Sequence, residues 1–338
     1  MNVLKRLAPQ LAVLAIVLAV NAVMFPGFFH LAFQDGRLYG SLIDVLNRGA
    51  PVAILAIGMT LVIATKGIDL SVGAVMAICG AVGASMIEQG QPLLLTLVVV
   101  LVIGLLCGLW NGFLVAVLDI QPIIATLILM VAGRGVAQLV TQGAILTFND
   151  PAFAFIGSGS FAGLPLPVLI WIGLGLAAIL AVRRTALGLL VEAVGVNRHA
   201  SMLAGINATV LILAVYAVSG VCAAVAGTIA TADIRGADAN NAGLWLELDA
   251  ILAVVIGGNS LFGGRFSILA SLIGAMIIQA VNTGILLSGF PPEFNLVIKA
   301  GIILAILVIQ SPASRVALGY LRLPKRQASA ATRTAAES

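Results

Sequence analysis

Thr126, Arg134, Gln138 and Thr141 stand eight, four and three positions apart inside the apolar run TLILMVAGRGVAQLVTQ. At 3.6 residues per turn they share one helix face. A later run repeats the arrangement with Ser267, Ser271, Gln279 and Asn282. Arg134 apart, these groups give and take hydrogen bonds without carrying charge. Such a face turns inward in an apolar solvent, either to line a path for a polar solute or to bond neighbouring helices. The residue types fit both roles. Thr126, Gln138, Gln279 and Asn282 are the candidates for a path, with Arg134 beside them. A structural partner for Arg134, such as a helix C-terminus, fits equally well. Lys299, one turn after Asn295, has the same two readings.

Two other segments join an acid to glycines. In TKGIDLSVGAV, Gly67 and Gly73 flank Asp69 and Ser71. That pattern predicts a break followed by a helix start, with Asp69 or Ser71 capping the free amides. In ELDAILAVVIGGNSLFGGRFS, Asp249 precedes an apolar stretch ending at Gly257 and Gly258. Broken helices in two halves of a chain often mark a transport path. The polar stretch ADIRGADANNAGLWLELDA carries Asp233, Arg235 and Asp238. Turn-forming Asn240, Asn241 and Gly243 follow, then Glu247 and Asp249 where acids suit a helix N-terminus. Asp233, Arg235 and Asp238 are either an ordinary solvated loop or contacts for an external partner. The segment RRTALGLLVEAVGVNRHASMLAGIN is amphipathic and holds Glu192, Gly195, Asn197, Arg198 and His199. It is either a solvated loop or a docking surface. Gly104, Gly108 and Gly112, four apart, let two helix backbones approach closely.

Several chemistries are excluded by what is missing. No glycine precedes any of the four lysines, so the sequence has no phosphate-binding G-x-x-x-x-G-K-[ST] loop. It has no H-E-x-x-H and no G-x-S-x-G. His30 and His199 lack metal-ligand spacing, and Cys79, Cys107 and Cys222 sit inside apolar runs as small packing residues. No metal site and no cofactor bound by this chain are expected. A polytopic membrane enzyme or scaffold would need a nucleophile, acid or ligand cluster at one depth, and none is visible.

The elements that position these residues follow from composition. Of 338 residues, 61% are hydrophobic and 9% charged, against about a quarter charged in a soluble domain. The solvent for most of the chain is therefore lipid. The pI of about 9.3 does not point to nucleic acid, because the basic residues flank apolar runs rather than form a patch. Ten candidate spans, against the roughly 20 apolar residues a crossing needs, are legible at 9–29, 50–65, 71–88, 92–118, 121–142, 165–182, 210–231, 247–260, 266–288 and 293–310. Placing both termini in the cytoplasm puts Lys5, Arg6, Lys66, Arg183, Arg184, Arg198, Arg265, Arg315, Arg322, Lys325, Arg326 and Arg333 inside. Only Arg37, Arg48 and Arg235 then lie outside. Residues 1–310 are read as a membrane domain with a long inner connection over 183–209. Residues 311–338 are read as a basic cytoplasmic tail.

The stretches PVAILAIGMTLVIATKGIDLSVGAVMAI, IATLILMVAGRG, TALGLLVEAVGVNRHASMLAGI and LDAILAVVIGGNSLFGGR resemble the permease subunits of bacterial ribose-type ABC sugar importers. The likeness runs from about residue 10 to 310 and is strongest to the galactofuranose branch, with ribose or another monosaccharide as the alternative cargo. It implies an all-α, ten-helix type II importer fold in the bacterial inner membrane, working by alternating access. It implies a second related permease subunit as a heterodimer partner and a periplasmic sugar-binding protein. It also implies a cytoplasmic ABC ATPase with tandem nucleotide-binding domains, which would supply ATP and Mg chemistry. The family's coupling helix maps onto Glu192, Ala193, Gly195, Asn197, Arg198 and Gly205, which favours the docking reading of that loop. Relatives commonly have glycine at the position of Lys66, so lysine there puts a left-handed turn in doubt.

Overall fold

A chain with so few charges must satisfy its backbone within itself, and it does so as helices. The computed structural model describes residues 3–34, 36–289 and 292–310. The order is α1 (Val3–Met24), β1 (Ala32–Gln34), β2 (Arg37–Tyr39), α2 (Ser41–Arg48), α3 (Ala50–Ala64), α4 (Val72–Glu88), α5 (Leu93–Ala116) and α6 (Pro122–Val140). Then come β3 (Leu146–Thr147), α7 (Pro151–Ser158), β4 (Ser160–Phe161), β5 (Leu164–Pro165), α8 (Leu166–Arg184), α9 (Leu187–Val196) and α10 (Arg198–Leu203). The last are α11 (Ala208–Ile234), β6 (Gly236–Ala237), α12 (Leu246–Ile256), α13 (Ile268–Leu287) and α14 (Pro292–Gln310).

Each of the ten expected spans overlaps one helix, the ends agreeing to within about four residues except at α1, which runs Val3–Met24 against the expected 9–29. Six of them are long and apolar enough to cross a membrane, and a seventh crosses if α2 and α3, bent by 42°, count as one span. Helix α4, helix α12 and the apolar stretch 296–306 of α14 are shorter. The tail at 311–338 lies outside the described residues.

Helix α11 is the axis of the packing, set against α5, α3 and α4. The glycine stripe of α5 explains how close it comes. A Cβ at Gly104 would press on Gly220 O, one at Gly108 would collide with Tyr216 O, and one at Gly112 would lie 3.0 Å from Leu213 Cα. Gly220 answers from α11 by sitting against Gly104 and Gly108. Helix α3 is apolar on every side and buried almost throughout, as expected of an interior helix. Helix α13 packs on α12, α1 and α3. Helices α1, α5, α6 and α8 present large apolar side chains outward, among them Val23, Leu94, Leu139 and Leu176. That surface suits lipid or another membrane chain.

The expected all-α chain also contains three small antiparallel ladders: β1 with β2, β3 with β6 and β4 with β5. They gather at the end of the bundle opposite α9 and α10, where Leu38 N donates to Gly163 O at 2.9 Å. The pairing of Leu146–Thr147 with Gly236–Ala237 ties the segment after α6 to the segment after α11.

Candidate functional site

The first helix break lies between α3 and α4. The chain leaves α3 through Lys66, which has φ 63°. The left-handed turn that lysine put in doubt is therefore kept, at a cost of about 1–2 kcal/mol for a residue with a Cβ. Its Nζ donates to Val196 O at 2.9 Å. Asp69 is buried at the turn's far side. Its Oδ1 accepts from Ser71 N (3.1 Å) and Ser71 Oγ (2.7 Å), and its Oδ2 accepts from Ser219 Oγ (2.8 Å). Asn111 Nδ2 donates to Ser71 Oγ at 2.8 Å. Asp69, not Ser71, thus caps the free amide: Ser71 stands at the N-cap with no side-chain bond into α4. Thr126 closes the break from α6, accepting from Leu70 N at 3.1 Å and lying 3.2 Å from Ile68 O.

The second break separates α12 from α13. Gly257 ends α12 and packs against the backbone of Ala270 and Ser271, and Gly258 turns with φ 84°. Asn259 spans the gap: its Oδ1 accepts from Ser267 N (2.7 Å) and its Nδ2 donates to Ser271 Oγ (2.8 Å). The two breaks are joined to each other. Thr60 Oγ1 of α3 donates to Ser271 Oγ at 2.7 Å, and Gly264 N donates to Ala64 O at 2.9 Å.

The amphipathic segment docks on this junction as α9 and α10. Gly195 is wedged so closely that a Cβ would collide with Ala64 O and reach Gly264 N. Asn197 caps α10, accepting from Ala200 N at 3.0 Å, while its own amide donates to Ala193 O. Arg198 reaches the end of α5, donating to Ala116 O at 2.7 Å and Asp119 Oδ1 at 3.0 Å. Gly205 ends the segment with φ 85°. Glu192 lines a neighbouring cavity of about 840 Å³.

Arg134 donates to Ala239 O at 3.0 Å and Ala242 O at 2.5 Å. Gln138, on the same face, donates to Asn240 Oδ1 at 2.7 Å. The polar stretch is therefore more than a loop at one end. Its non-helical backbone comes down beside α6, and Gly243 packs against Gly73 at the start of α4. Irregular backbone at such a position needs partners from the protein, and Arg134 supplies them. Asp238 holds the turn, accepting from Asn240 N, Asn241 N and Asn241 Nδ2. The Asn241 amide and the two backbone donors keep its carboxyl below the usual carboxylate range. Arg235 ends α11 in the left-handed region with φ 52°, and its carbonyl accepts from Phe148 N. Asp233 and Asp238 line a cavity of about 310 Å³ with Arg48. Asp249 opens α12 and accepts from Lys299 Nζ.

On α13, Gln279 donates to Thr283 Oγ1 at 3.4 Å, and the buried Oδ1 of Asn282 has no partner among the described residues. The structure thus brings the two breaks and the α9–α10 segment together at Ala64. It does not bring the α6 and α13 candidates together: α6 packs on α4 and α5, α13 on α12, α1 and α3. Ser219, Asn111, Thr60, Asn259 and Asp119 belong to the site and were not singled out by pattern. Of these, Asn111 is the polar group set among the glycines of α5 at Gly104, Gly108 and Gly112.

Residues 41–307 match the family described as the branched-chain amino acid transport system/permease component. The chain belongs to this family of membrane transport permeases. It is 61% identical over 303 residues to the galactofuranose transporter permease protein of Escherichia coli, covering 90% of this chain and 89% of that one. It is 41% identical over 284 residues to the fructose import permease protein of Bifidobacterium longum, with 82% and 80% covered. To the ribose import permease protein of Haemophilus influenzae it is 39% identical over 295 residues, with 86% and 88% covered. No solved structure gives a significant match.

Proposed function

We propose that this chain is the permease subunit of an ATP-driven importer that carries galactofuranose across the bacterial inner membrane. The observation that carries the mechanism is the wedging of Gly195 against Ala64 and Gly264. A soluble motor docked on α9 and α10 has a rigid route to both helix breaks through that contact. The cargo follows from the relative, 61% identical, that is named for galactofuranose; the fructose and ribose permeases support sugars as the wider class.

In this reading a cytoplasmic ABC ATPase with tandem nucleotide-binding domains binds ATP and Mg and moves the segment containing Glu192, Ala193, Gly195, Asn197, Arg198 and Gly205. The breaks at Gly67, Asp69 and Ser71 and at Asp249, Gly257 and Gly258 transmit the tilt. The sugar arrives from a periplasmic binding protein that touches Asp233, Arg235 and Asp238. It passes between this chain and a second, related permease. Both termini, including 311–338, lie in the cytoplasm, consistent with the distribution of Lys and Arg. A neutral sugar is best served by hydrogen-bonding groups. Gln279 and Asn282 are favoured for the path, since the Asn282 acceptor has no partner among the described residues. Thr126, Arg134 and Gln138 contribute from α6, whose polar groups hold the walls in shape.

Uptake of labelled galactofuranose by cells carrying the complete transporter tests the reading. Gln279→Ala with Asn282→Ala is expected to lower uptake at least tenfold while leaving subunit assembly intact. Normal uptake with both substitutions refutes the path assignment. Purified chain that brings down no ATPase subunit refutes the importer reading itself.

A further inference from the structure

The cavity beside Glu192 shares α9 with the motor-docking segment, but its other walls belong neither to that segment nor to the sugar path. It holds about 840 Å³ between the ends of α1 and α8, helix α9 and the second break. One wall is apolar, with Ile179, Leu189 and Ile268. Arg183 and Arg265 face it from two different segments, both solvent-exposed. Gln10 also lines it, its Nε2 donating to Gly257 O at 2.9 Å. Two guanidiniums beside an apolar wall at the end of a helix bundle complement one chemistry, a phosphate attached to acyl chains.

We propose that this cavity binds a membrane glycerophospholipid, its phosphate held by Arg183 and Arg265 and a headgroup donor directed to Glu192. Arg183 and Arg265 outnumber Glu192 by one charge, which matches a single phosphate. The acyl chains lie along Ile179 and Leu189. The donor is a hydroxyl in phosphatidylglycerol or an ammonium in phosphatidylethanolamine. The assignment takes only the choice of the cytoplasmic leaflet from the proposed function. The bound lipid stands directly against the second break, so it braces the joint on which α9 pushes.

Native mass spectrometry of the complete transporter, purified in mild detergent and titrated with each phospholipid, tests this. The unsubstituted protein is expected to retain one phospholipid that the Arg183→Ala/Arg265→Ala variant loses, with apparent affinity falling at least tenfold. Arg183→Lys/Arg265→Lys, which keeps the charge, is expected to recover part of it and guards against a folding defect. Preference for phosphatidylglycerol or for phosphatidylethanolamine identifies the donor. Equal retention by all three proteins overturns the proposal, as does displacement of every lipid when the ATPase subunit is present. Neither result touches the importer reading, which is judged by uptake, nor the orientation, which is judged by labelling a Ser160→Cys variant from outside intact cells.

Discussion

Lys299 Nζ lies 2.6 Å from Asp249 Oδ2, and the side chains are only 13% and 7% exposed. The pair joins α14 to the first turn of α12 across fifty residues of sequence. Removing one member of a buried pair leaves an uncompensated charge and costs about 3–5 kcal/mol, whereas replacing both by apolar groups is often close to neutral. Lys299→Met is therefore expected to lower the thermal midpoint sharply in detergent. The Asp249→Leu/Lys299→Met double variant is expected to recover most of the loss. A double variant as unstable as the single one would show that the charge itself, not its pairing, is what α12 requires.

The glycine contacts between α5 and α11 predict a contrast. Gly108→Ala places a methyl against Tyr216 O and is expected to destabilise by about 1–3 kcal/mol through overpacking. Gly135→Ala, where nothing lies within 4 Å, is expected to cost nothing and to raise the midpoint slightly, because alanine favours the helix. Scanning fluorimetry on the two variants side by side is sufficient, and equal midpoints would contradict the packing described.

Lys66 combines a strained backbone with a useful side chain. Lys66→Gly relieves the left-handed strain but gives up the bond to Val196 O, so a midpoint near that of the unsubstituted protein is expected. Lys66→Val keeps the strain, adds branching at Cβ and loses the bond, and is expected to fall below Lys66→Gly by at least about 1 kcal/mol. A valine variant as stable as the glycine one would refute the assigned backbone conformation.

Asp238 gives a pH dependence with a definite sign. Its carboxyl sits below the usual carboxylate range because Asn241 and two amides donate to it. Its contribution to the turn is therefore complete above the unfolded carboxylate pKa and is lost as pH falls through the lower folded value. Hydrogen exchange at Asn240 and Asn241, corrected for intrinsic rates, is expected to be slow at neutral pH and to accelerate in strong acid. In Asp238→Ala it is expected to be fast at both, and protection that persists there would remove Asp238 from the turn.

The membrane helices were legible because lipid demands long apolar runs, and such runs need no knowledge of neighbours. Helices α2 and α7 were not legible: eight residues each, in segments such as SLIDVLNR and PAFAFIGS, give too few turns for a period to emerge. The ladders are two or three residues per strand and leave no alternation to detect. At the site, the break at Gly67–Ser71 could be read from glycines and an acid in sequence. What holds it could not, since Ser219 lies 150 positions from Asp69 and Thr126 lies 58 from Ile68. The Arg134 side chain was visibly out of place in an apolar run. Its carbonyl partners at Ala239 and Ala242 depend on a loop whose descent no local pattern records.

Gly264 N bonded to Ala64 O makes the ends of α3 and α12–α13 neighbours under one wedge. If the proposed motor turns α9, a rotation entering at Gly195 is divided between two hinges that share a pivot, so neither can swing without loading the other. Timing between the two halves of the bundle is then set by geometry and not by separate signals. A side chain larger than hydrogen at Gly195 would act like grit in a gear, holding both hinges part-way through their stroke.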